Sequence, residues 1–198
     1  KHYKDGVEDG VTTYWNPNGQ FSSKAHYKEG TLMGPHITWH ENGQIKNKEH
    51  YKDGKREGLR VSWYDNGQKL TEINYKDGKE DGLWPGWYKS GKKRSERNWK
   101  EDGVSTCWYE NRQKKSEVRC KDGKEHGLWI SWYENGKKER EGNLKDGEFD
   151  GLWINWYENG KKKVEKHYKD GKENGLWTEW SEDGKKTYEK NFVNGNQQ

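Results

Sequence analysis

Short aromatic and apolar stretches alternate with strongly polar stretches along the chain. One such pair is Gly127-Leu-Trp-Ile-Ser-Trp-Tyr133, followed after a short gap by Lys137-Lys-Glu-Arg-Glu-Gly-Asn143. Each stretch has about seven residues, close to the usual length of a β-strand. Any segment long enough to form a helix contains a glycine within about ten residues. Glycine destabilises a helix interior. The pattern therefore predicts β-strands throughout.

The alternation repeats with a fixed period. An element of the form aromatic-Lys-Asp-Gly recurs every 24 residues, with one step of 21. It defines eight repeats and the start of a ninth. Residues 1–198 are therefore predicted to be one repeat array. The repeats begin at Tyr3, Tyr27, Tyr51, Tyr75, Trp99, Cys120, Leu144, Tyr168 and Phe192. Position thirteen is tryptophan in every complete repeat: Trp15, Trp39, Trp63, Trp87, Trp108, Trp132, Trp156 and Trp180.

Each repeat carries two turn signals. Asn-Gly, as in Asn135-Gly136, predicts a two-residue hairpin turn of type I′, and Asp-Gly, as in Asp122-Gly123, predicts a second turn of similar chemistry. The expected fold is all-β, an elongated, twisted antiparallel meander of stacked hairpins with one hairpin per repeat and about 16 to 17 strands. The short step removes three residues near Trp99–Gly103, where we expect a shortened connection, and Arg112 replaces the turn glycine of the same repeat.

The even period keeps each repeat position on one face of the sheet, because side chains alternate along a strand. Positions nine, eleven and thirteen (Leu128, Ile130 and Trp132 in the sixth repeat) form one face, here called the Leu-Ile-Trp face. Positions ten, twelve and fourteen form the other, called the Trp-Tyr face. Pairing around either turn is expected to place Glu141 on the Leu-Ile-Trp face.

The two faces receive different predicted roles. The Leu-Ile-Trp face, with its tryptophan in every repeat, is predicted to be structural. The Trp-Tyr face carries an additional aromatic column with charged neighbours, a composition that binding hot spots use. Its predicted binding residues are Trp84, Trp129, Trp153, Trp177, Tyr64, Tyr88, Tyr109, Tyr133 and Tyr157. An alternative is that both columns pack within the sheet.

Charged residues are predicted to support the sheet. Tryptophan rings are expected to pack on lysine and arginine stems and to accept cation–π contacts. A glutamate recurs at position twenty-two, and we interpret this column as a ladder of ion pairs with lysine and arginine, not as paired catalytic carboxylates. Its members are Glu72, Glu96, Glu117, Glu141, Glu165 and Glu189.

Composition narrows the classes of function. Charged residues make up 36% of the 198 and hydrophobic residues 26%, with 13 tryptophans, which suits a thin repeating sheet better than a thick core. The net charge of +4 comes from interleaved acids and bases, so nucleic acid is not an expected partner. Cys107 and Cys120 are interpreted as repeat variants. We expect no enzyme activity, no catalytic residue, no cofactor and no metal site.

The motif Y-x-D-G-K-x-x-G-x-W-x-x-W-Y-x-N-G resembles the MORN repeats. One instance runs from Tyr51 to Gly58 and on through Trp63 to Gly67, and another runs from Tyr168 to Gly184. The closest resemblance is to the bacterial MORN-2 variant found in YwqK-type antitoxin proteins. It implies one β-hairpin per repeat, stacked into an elongated sheet that serves binding or scaffolding. Departures are Cys120 and Leu144 at the first aromatic position and Pro35 at an apolar one.

These observations favour a non-catalytic scaffold that binds a protein partner through an aromatic and charged sheet face. Alternatives are glycan binding or cell-surface adhesion, neutralisation of a toxin as an antitoxin or immunity protein, and peripheral binding to anionic phospholipid. The oligomeric state is left open. For localisation, lysine- and asparagine-rich usage and a first residue other than methionine favour an exported or cell-surface bacterial protein over a cytoplasmic one.

Overall fold

The computed structural model describes residues 2–98 and 103–198, and within these ranges the chain consists of β-strands, turns and connections without helix. The predicted all-β meander of antiparallel hairpins is confirmed, and the sheet is open and unclosed. None of the described residues forms a helix that could cross a lipid bilayer.

The chain divides into two compact units, Lys1–Arg94 and Ser95–Gln198. The first unit contains the strands β1 (Tyr3–Lys4), β2 (Val7–Glu8), β3 (Gly10–Trp15), β4 (Phe21–Lys28), β5 (Thr31–Trp39), β6 (Ile45–Lys52), β7 (Lys55–Arg56), β8 (Gly58–Trp63), β9 (Lys69–Lys76), β10 (Lys79–Glu80) and β11 (Leu83–Trp87).

The second unit contains β12 (Lys93–Asn98), which starts two residues before it, β13 (Gly103–Trp108), β14 (Lys114–Lys121), β15 (Lys124–Trp132), β16 (Lys138–Lys145), β17 (Glu148–Trp156), β18 (Lys162–Lys169), β19 (Lys172–Glu173), β20 (Gly175–Trp180), β21 (Lys186–Val193) and β22 (Asn196–Gln197).

Each repeat supplies an aromatic arm and a polar arm. The aromatic arm is continuous in β15 and interrupted in others, where a two-residue strand such as β7 precedes the main strand β8. The polar arm runs two residues beyond the predicted segment, into the first two positions of the next repeat, as in β16. Ile130 lies directly opposite Glu141, which confirms the predicted place of this glutamate on the Leu-Ile-Trp face.

One of the two turns has the expected type and the other does not. At Asp-Gly both residues have positive φ, 49° at Asp122 and 76° at Gly123, as a type I′ turn requires. At Asn-Gly only Gly136 is left-handed, and its N–H donates to the carbonyl of Tyr133 over 2.9 Å. This is a three-residue loop of the type I plus bulge kind, so the prediction of type I′ there was wrong. Asn135 instead accepts a side-chain hydrogen bond from the N–H of Lys137, which fixes it without a positive φ.

The most irregular repeat keeps the common register. Its expected shortened connection at Trp99–Asp102 lies outside the described residues. From Gly103 onward the strands pair as elsewhere, with Val104 opposite Arg119. Arg112 adopts the left-handed conformation of the glycine it replaces, with φ of 73°, and its N–H still donates to Tyr109.

The buried cluster of the second unit lies on the Trp-Tyr face. It consists of Val118, Cys120, Leu144 and Trp153, against which Trp129 and Tyr168 pack. These residues occupy positions twenty-three, one and ten, which share the Trp-Tyr face. This burial arises because the extended polar arm ends in apolar residues on that face. The structural role of the Leu-Ile-Trp face stays a prediction.

Gly142 shows how closely this core is packed. It lies opposite Trp129, and a Cβ at Gly142 would collide with the indole of Trp153. The Trp153 Nε1–H donates to the carbonyl of Asn143 over 3.0 Å, which holds the ring over the bare backbone. This glycine is therefore needed for ring packing and not for a turn.

Leucine-to-alanine variants should show that the two faces contribute differently to the free energy of unfolding. Leu144→Ala removes a side chain that is 5% exposed, and should lower the free energy of unfolding by about 2–4 kcal/mol. Leu128→Ala, where the leucine is 46% exposed, should cost less than about 1 kcal/mol. Urea unfolding followed by tryptophan fluorescence measures both. Equal losses would contradict the placement of the core.

Candidate functional site

The Leu-Ile-Trp face carries a recurring group of lysine, glutamate and tryptophan. The lysine at position nineteen forms an ion pair with the glutamate three residues later and lies over the tryptophan of the next repeat. In the second unit Lys162 Nζ is 2.5 Å from Glu165 and 5.9 Å from the ring centre of Trp180. The same arrangement recurs at Lys69, Glu72 and Trp87, at Lys114, Glu117 and Trp132, and at Lys138, Glu141 and Trp156. The predicted cation–π contacts and glutamate ion pairs are thus confirmed at these repeats.

An exposed apolar column runs beside these groups. Position nine is at the surface in both units, at Val11, Leu59, Leu83, Val104, Leu128, Leu152 and Leu176, each between 39% and 55% exposed. Within each unit the aromatic arms of consecutive repeats are separated by one polar strand, so their position-nine side chains lie roughly 9–10 Å apart. At the four repeats described above, the flanking lysine and glutamate are paired with each other. The face therefore presents a regular apolar row between neutralised charges.

The first two repeats differ, because position nineteen is apolar there. Phe21 takes the place of lysine and its ring lies 6.0 Å from Trp15 and 5.4 Å from Trp39. Trp15 is 59% exposed, Phe21 49% and Ile45 39%. In these two repeats the Leu-Ile-Trp face thus exposes more apolar surface than in a repeat where lysine covers the tryptophan.

The predicted binding residues of the Trp-Tyr face are packed within it. Trp153 is buried, with ring centres 5.6 Å from Trp129 and 4.3 Å from Phe149. Trp84, Trp129 and Trp177 are half-buried. The ammonium group of Lys166 covers Trp177 at 3.4 Å from its ring centre. Their role in binding a partner stays a prediction, and the structure gives them a packing role.

The tyrosines at position fourteen join consecutive repeats. In four of the five, the hydroxyl donates to the carbonyl oxygen of the position-thirteen tryptophan in the next repeat. The fifth, Tyr88, is half-buried. The bonds run from Tyr64 to Trp87 (2.9 Å), Tyr109 to Trp132 (2.8 Å), Tyr133 to Trp156 (2.6 Å) and Tyr157 to Trp180 (2.8 Å). Such a bond contributes about 0.5–1.5 kcal/mol, so these tyrosines stabilise the array.

A cluster of polar side chains takes the place of apolar packing around Glu49 in the first unit, where Ala25, Ile73 and Tyr75 are the buried apolar residues. Glu49 occupies position twenty-three, which is apolar or glycine in most other repeats, and is 8% exposed. Its carboxylate is 3.1 Å from His36 Nδ1 and accepts a hydrogen bond from Arg56 Nε over 2.8 Å and from the Tyr51 hydroxyl over 3.3 Å. Arg60 Nε lies 3.4 Å away. Burial raises the pKa of Glu49, but the hydrogen bonds from His36 and Arg56 and the charges of both arginines outweigh it and lower the pKa to about 2.

The second ring nitrogen of His36 faces a serine. His36 Nε2 lies 3.0 Å from Ser23 Oγ, so a continuous chain of hydrogen bonds links Ser23, His36 and Glu49. These three residues are not among the predicted site residues. Face parity offered a signal, since positions ten, twenty-one and twenty-three lie on the same face and hold these three residues in neighbouring repeats.

Acid should weaken the first unit through Glu49. Because its pKa is lowered in the folded state, its contribution is present above about pH 4.5 and is lost as the pH falls toward about 2. Between about pH 5 and pH 3 the wild type should lose about 2 kcal/mol more unfolding free energy than Glu49→Gln, which has no carboxylate to protonate. Urea titrations at each pH measure this difference. Parallel pH dependences for the two proteins would contradict an ionised, bonded Glu49.

Comparison with known sequences agrees with this architecture. The MORN repeat variant family matches residues 8–29, 34–53, 56–77, 125–146, 149–170 and 173–194, which together exceed half of the chain. No curated protein is a significant match. The matched segments each contain a polar arm and end at the first residue of the turn that follows it, such as Asp146 before Gly147. The chain therefore belongs to the family of MORN repeat variants.

Proposed function

We propose that this chain is a binding scaffold for a protein partner and that the partner docks on the Leu-Ile-Trp face. MORN repeats suggest a repeat-based binding scaffold. The observation that carries the choice of face is the exposed position-nine column, which in the second unit comprises Val104, Leu128, Leu152 and Leu176. Contiguous exposed apolar surface rimmed by polar residues is typical of interaction sites.

The surrounding chemistry suits a protein surface. The tryptophan rings beside the column are half-buried and held under lysine, so little side-chain entropy is lost when a partner covers them. The lysine–glutamate pairs supply a polar rim without a strong net field, which argues against attraction to an anionic membrane. A toxin is one class of protein partner to test, since the repeats resemble those of antitoxin-type proteins.

Charge introduced into the column should abolish docking. Affinity capture from an extract of the source organism would compare the wild type with Leu128→Lys/Leu152→Lys. The double variant should lose proteins retained by the wild type by at least about tenfold, because two lysines would be desolvated at the contact. Circular dichroism and urea unfolding check that the variant is folded.

Two matched variants make the outcome specific. Glu158→Lys changes the net charge by the same two units at an exposed hairpin loop and should retain the partner. Trp129→Ala/Trp153→Ala tests the Trp-Tyr face: loss of the partner from a folded protein would move the site there. Retention by Leu128→Lys/Leu152→Lys would refute the Leu-Ile-Trp face as the docking site.

A second candidate, glycan binding, is favoured by one observation. Trp15 and Phe21 are adjacent, exposed rings in the first unit, and exposed aromatic rings stack on sugar faces. If they bind sugar, a glycan array should give signals that Trp15→Ala/Phe21→Ala removes while the fold is kept. An array without signal at high protein concentration would exclude this candidate.

A further inference from the structure

We propose that Ser23 is an activated nucleophile, with His36 as its general base and Glu49 as the positioning residue, and that it accepts acyl or phosphonyl groups from activated esters and related electrophiles. This site goes beyond the proposed binding function, lies on the opposite face of the sheet and departs from the expectation that the chain has no catalytic residue.

The geometry supplies the two contacts that nucleophilic catalysis requires. A nucleophile must reach its base within about 2.6–3.2 Å, and the base must be oriented by a third group. Ser23 Oγ is 3.0 Å from His36 Nε2, and His36 Nδ1 is 3.1 Å from Glu49 Oε1. These distances fit a neutral imidazole whose Nδ1–H donates to Glu49 while Nε2 accepts the Ser23 proton.

The surroundings keep Glu49 in the orienting state. Arg56 and Arg60 hold its second oxygen, Oε2, at 2.8 and 3.4 Å, so the carboxylate is ionised and its first oxygen remains directed to His36. The groups that face His36 are Ser23 from β4 and Glu49 and Tyr51 from β6. His36 has a side chain that is 21% exposed, and Ser23 is half-buried, so a small electrophile can reach the serine.

The same serine position elsewhere in the chain lacks this chemistry. Ser116 also occupies position twenty-one, opposite Ser131 as Ser23 is opposite Thr38. The next residue at position ten is Trp129 where the first unit has His36, and the next at position twenty-three is Gly142 where the first unit has Glu49. The chain thus contains its own unactivated control.

The backbone limits the reaction to activated substrates. Ser23 lies in β4, which is paired on both sides by β3 and β5, so its strand amides are engaged in the sheet and do not form an oxyanion hole. General-base assistance alone raises the reaction rate roughly 10²- to 10⁴-fold. The backbone does not supply the further increase of about 10²- to 10³-fold in rate that oxyanion donors contribute. Esters with good leaving groups fit this capacity, whereas amides do not.

The steps balance without any co-reactant except water. Ser23 Oγ bonds to the carbonyl carbon of the ester while its proton passes to His36 Nε2, and the bond to the leaving phenolate breaks. His36 returns the proton to solvent or to the phenolate. Water then attacks the acyl carbon and gives a proton to His36. The bond from this carbon to Ser23 Oγ breaks as His36 passes the proton to Oγ, which releases the acid and free Ser23. With a fluorophosphonate the oxygen bonds to phosphorus and fluoride leaves, which stops the reaction at the labelled serine.

The test uses the full chain and a fluorophosphonate probe, which reacts with activated serine in preference to lysine. Peptide mapping by mass spectrometry should place the label on Ser23, at a rate at least about 100-fold above that on Ser116. Ser23→Ala should abolish labelling there, and His36→Gln should reduce its rate by about 100-fold or more. Ser116→Ala should leave it unchanged. Release of 4-nitrophenol from 4-nitrophenyl acetate should follow the same order.

Glu49 requires a readout that structural damage would not mimic. In Glu49→Gln that circular dichroism shows to be folded, loss of the orienting carboxylate should lower the labelling rate at Ser23 by about tenfold or more and leave the rate at Ser116 unchanged. Labelling of Ser23 no faster than Ser116, or labelling that His36→Gln leaves unchanged in a folded protein, would overturn the proposal. Either result leaves partner binding on the Leu-Ile-Trp face untouched.

Discussion

Burial on one face of the sheet is the constraint on which the rest of the structure depends. The described residues provide no helix to cover either face, so apolar surface must be removed from water by the sheet itself. In the second unit this is achieved by Leu144 and Cys120 at the end of polar arms, which meet Trp153 from the aromatic arm. The packing of this layer leaves no room for a side chain at Gly142, because the Trp153 ring occupies the position of its Cβ.

Hydrogen bonds between repeats fix the spacing that this burial needs. At one edge the tyrosine hydroxyl and the asparagine amide reach carbonyl oxygens of the next repeat, as Tyr157 does to Trp180 and Asn159 to Glu182. At the other edge the glycine N–H of the type I′ turn donates to the preceding repeat, as Gly171 does to Phe149. Each bond is worth about 1 kcal/mol, and in repeat proteins such neighbour terms add along the chain.

The sequence predicted those features that follow from period and parity. Strand positions, the meander, the register of Glu141 and the lysine–tryptophan contacts could all be read from the 24-residue repeat. The buried face could not be predicted, because the sequence pattern places Leu144 and Cys120 at the start of a turn motif. In the structure they lie near the end of a longer strand. The Asn-Gly turn is not of type I′ because Asn135 bonds through its side chain to the N–H of Lys137, a choice that dipeptide preferences do not reveal. The Ser23–His36–Glu49 chain was missed because its members are 13 residues apart in successive repeats and only pairing brings them together.

A surface that repeats itself offers a bound partner several equivalent registers, and sliding between them would blur any specific complex. Phe21 and Ile45 remove this degeneracy in the first unit. Both occupy position nineteen, which holds Lys69 in the third repeat. The first two repeats therefore differ from the third in both charge and exposed apolar area. The first unit therefore has a direction along this face: a partner that binds as proposed would meet an aromatic end and an end of paired lysine and glutamate, and only one alignment would match both.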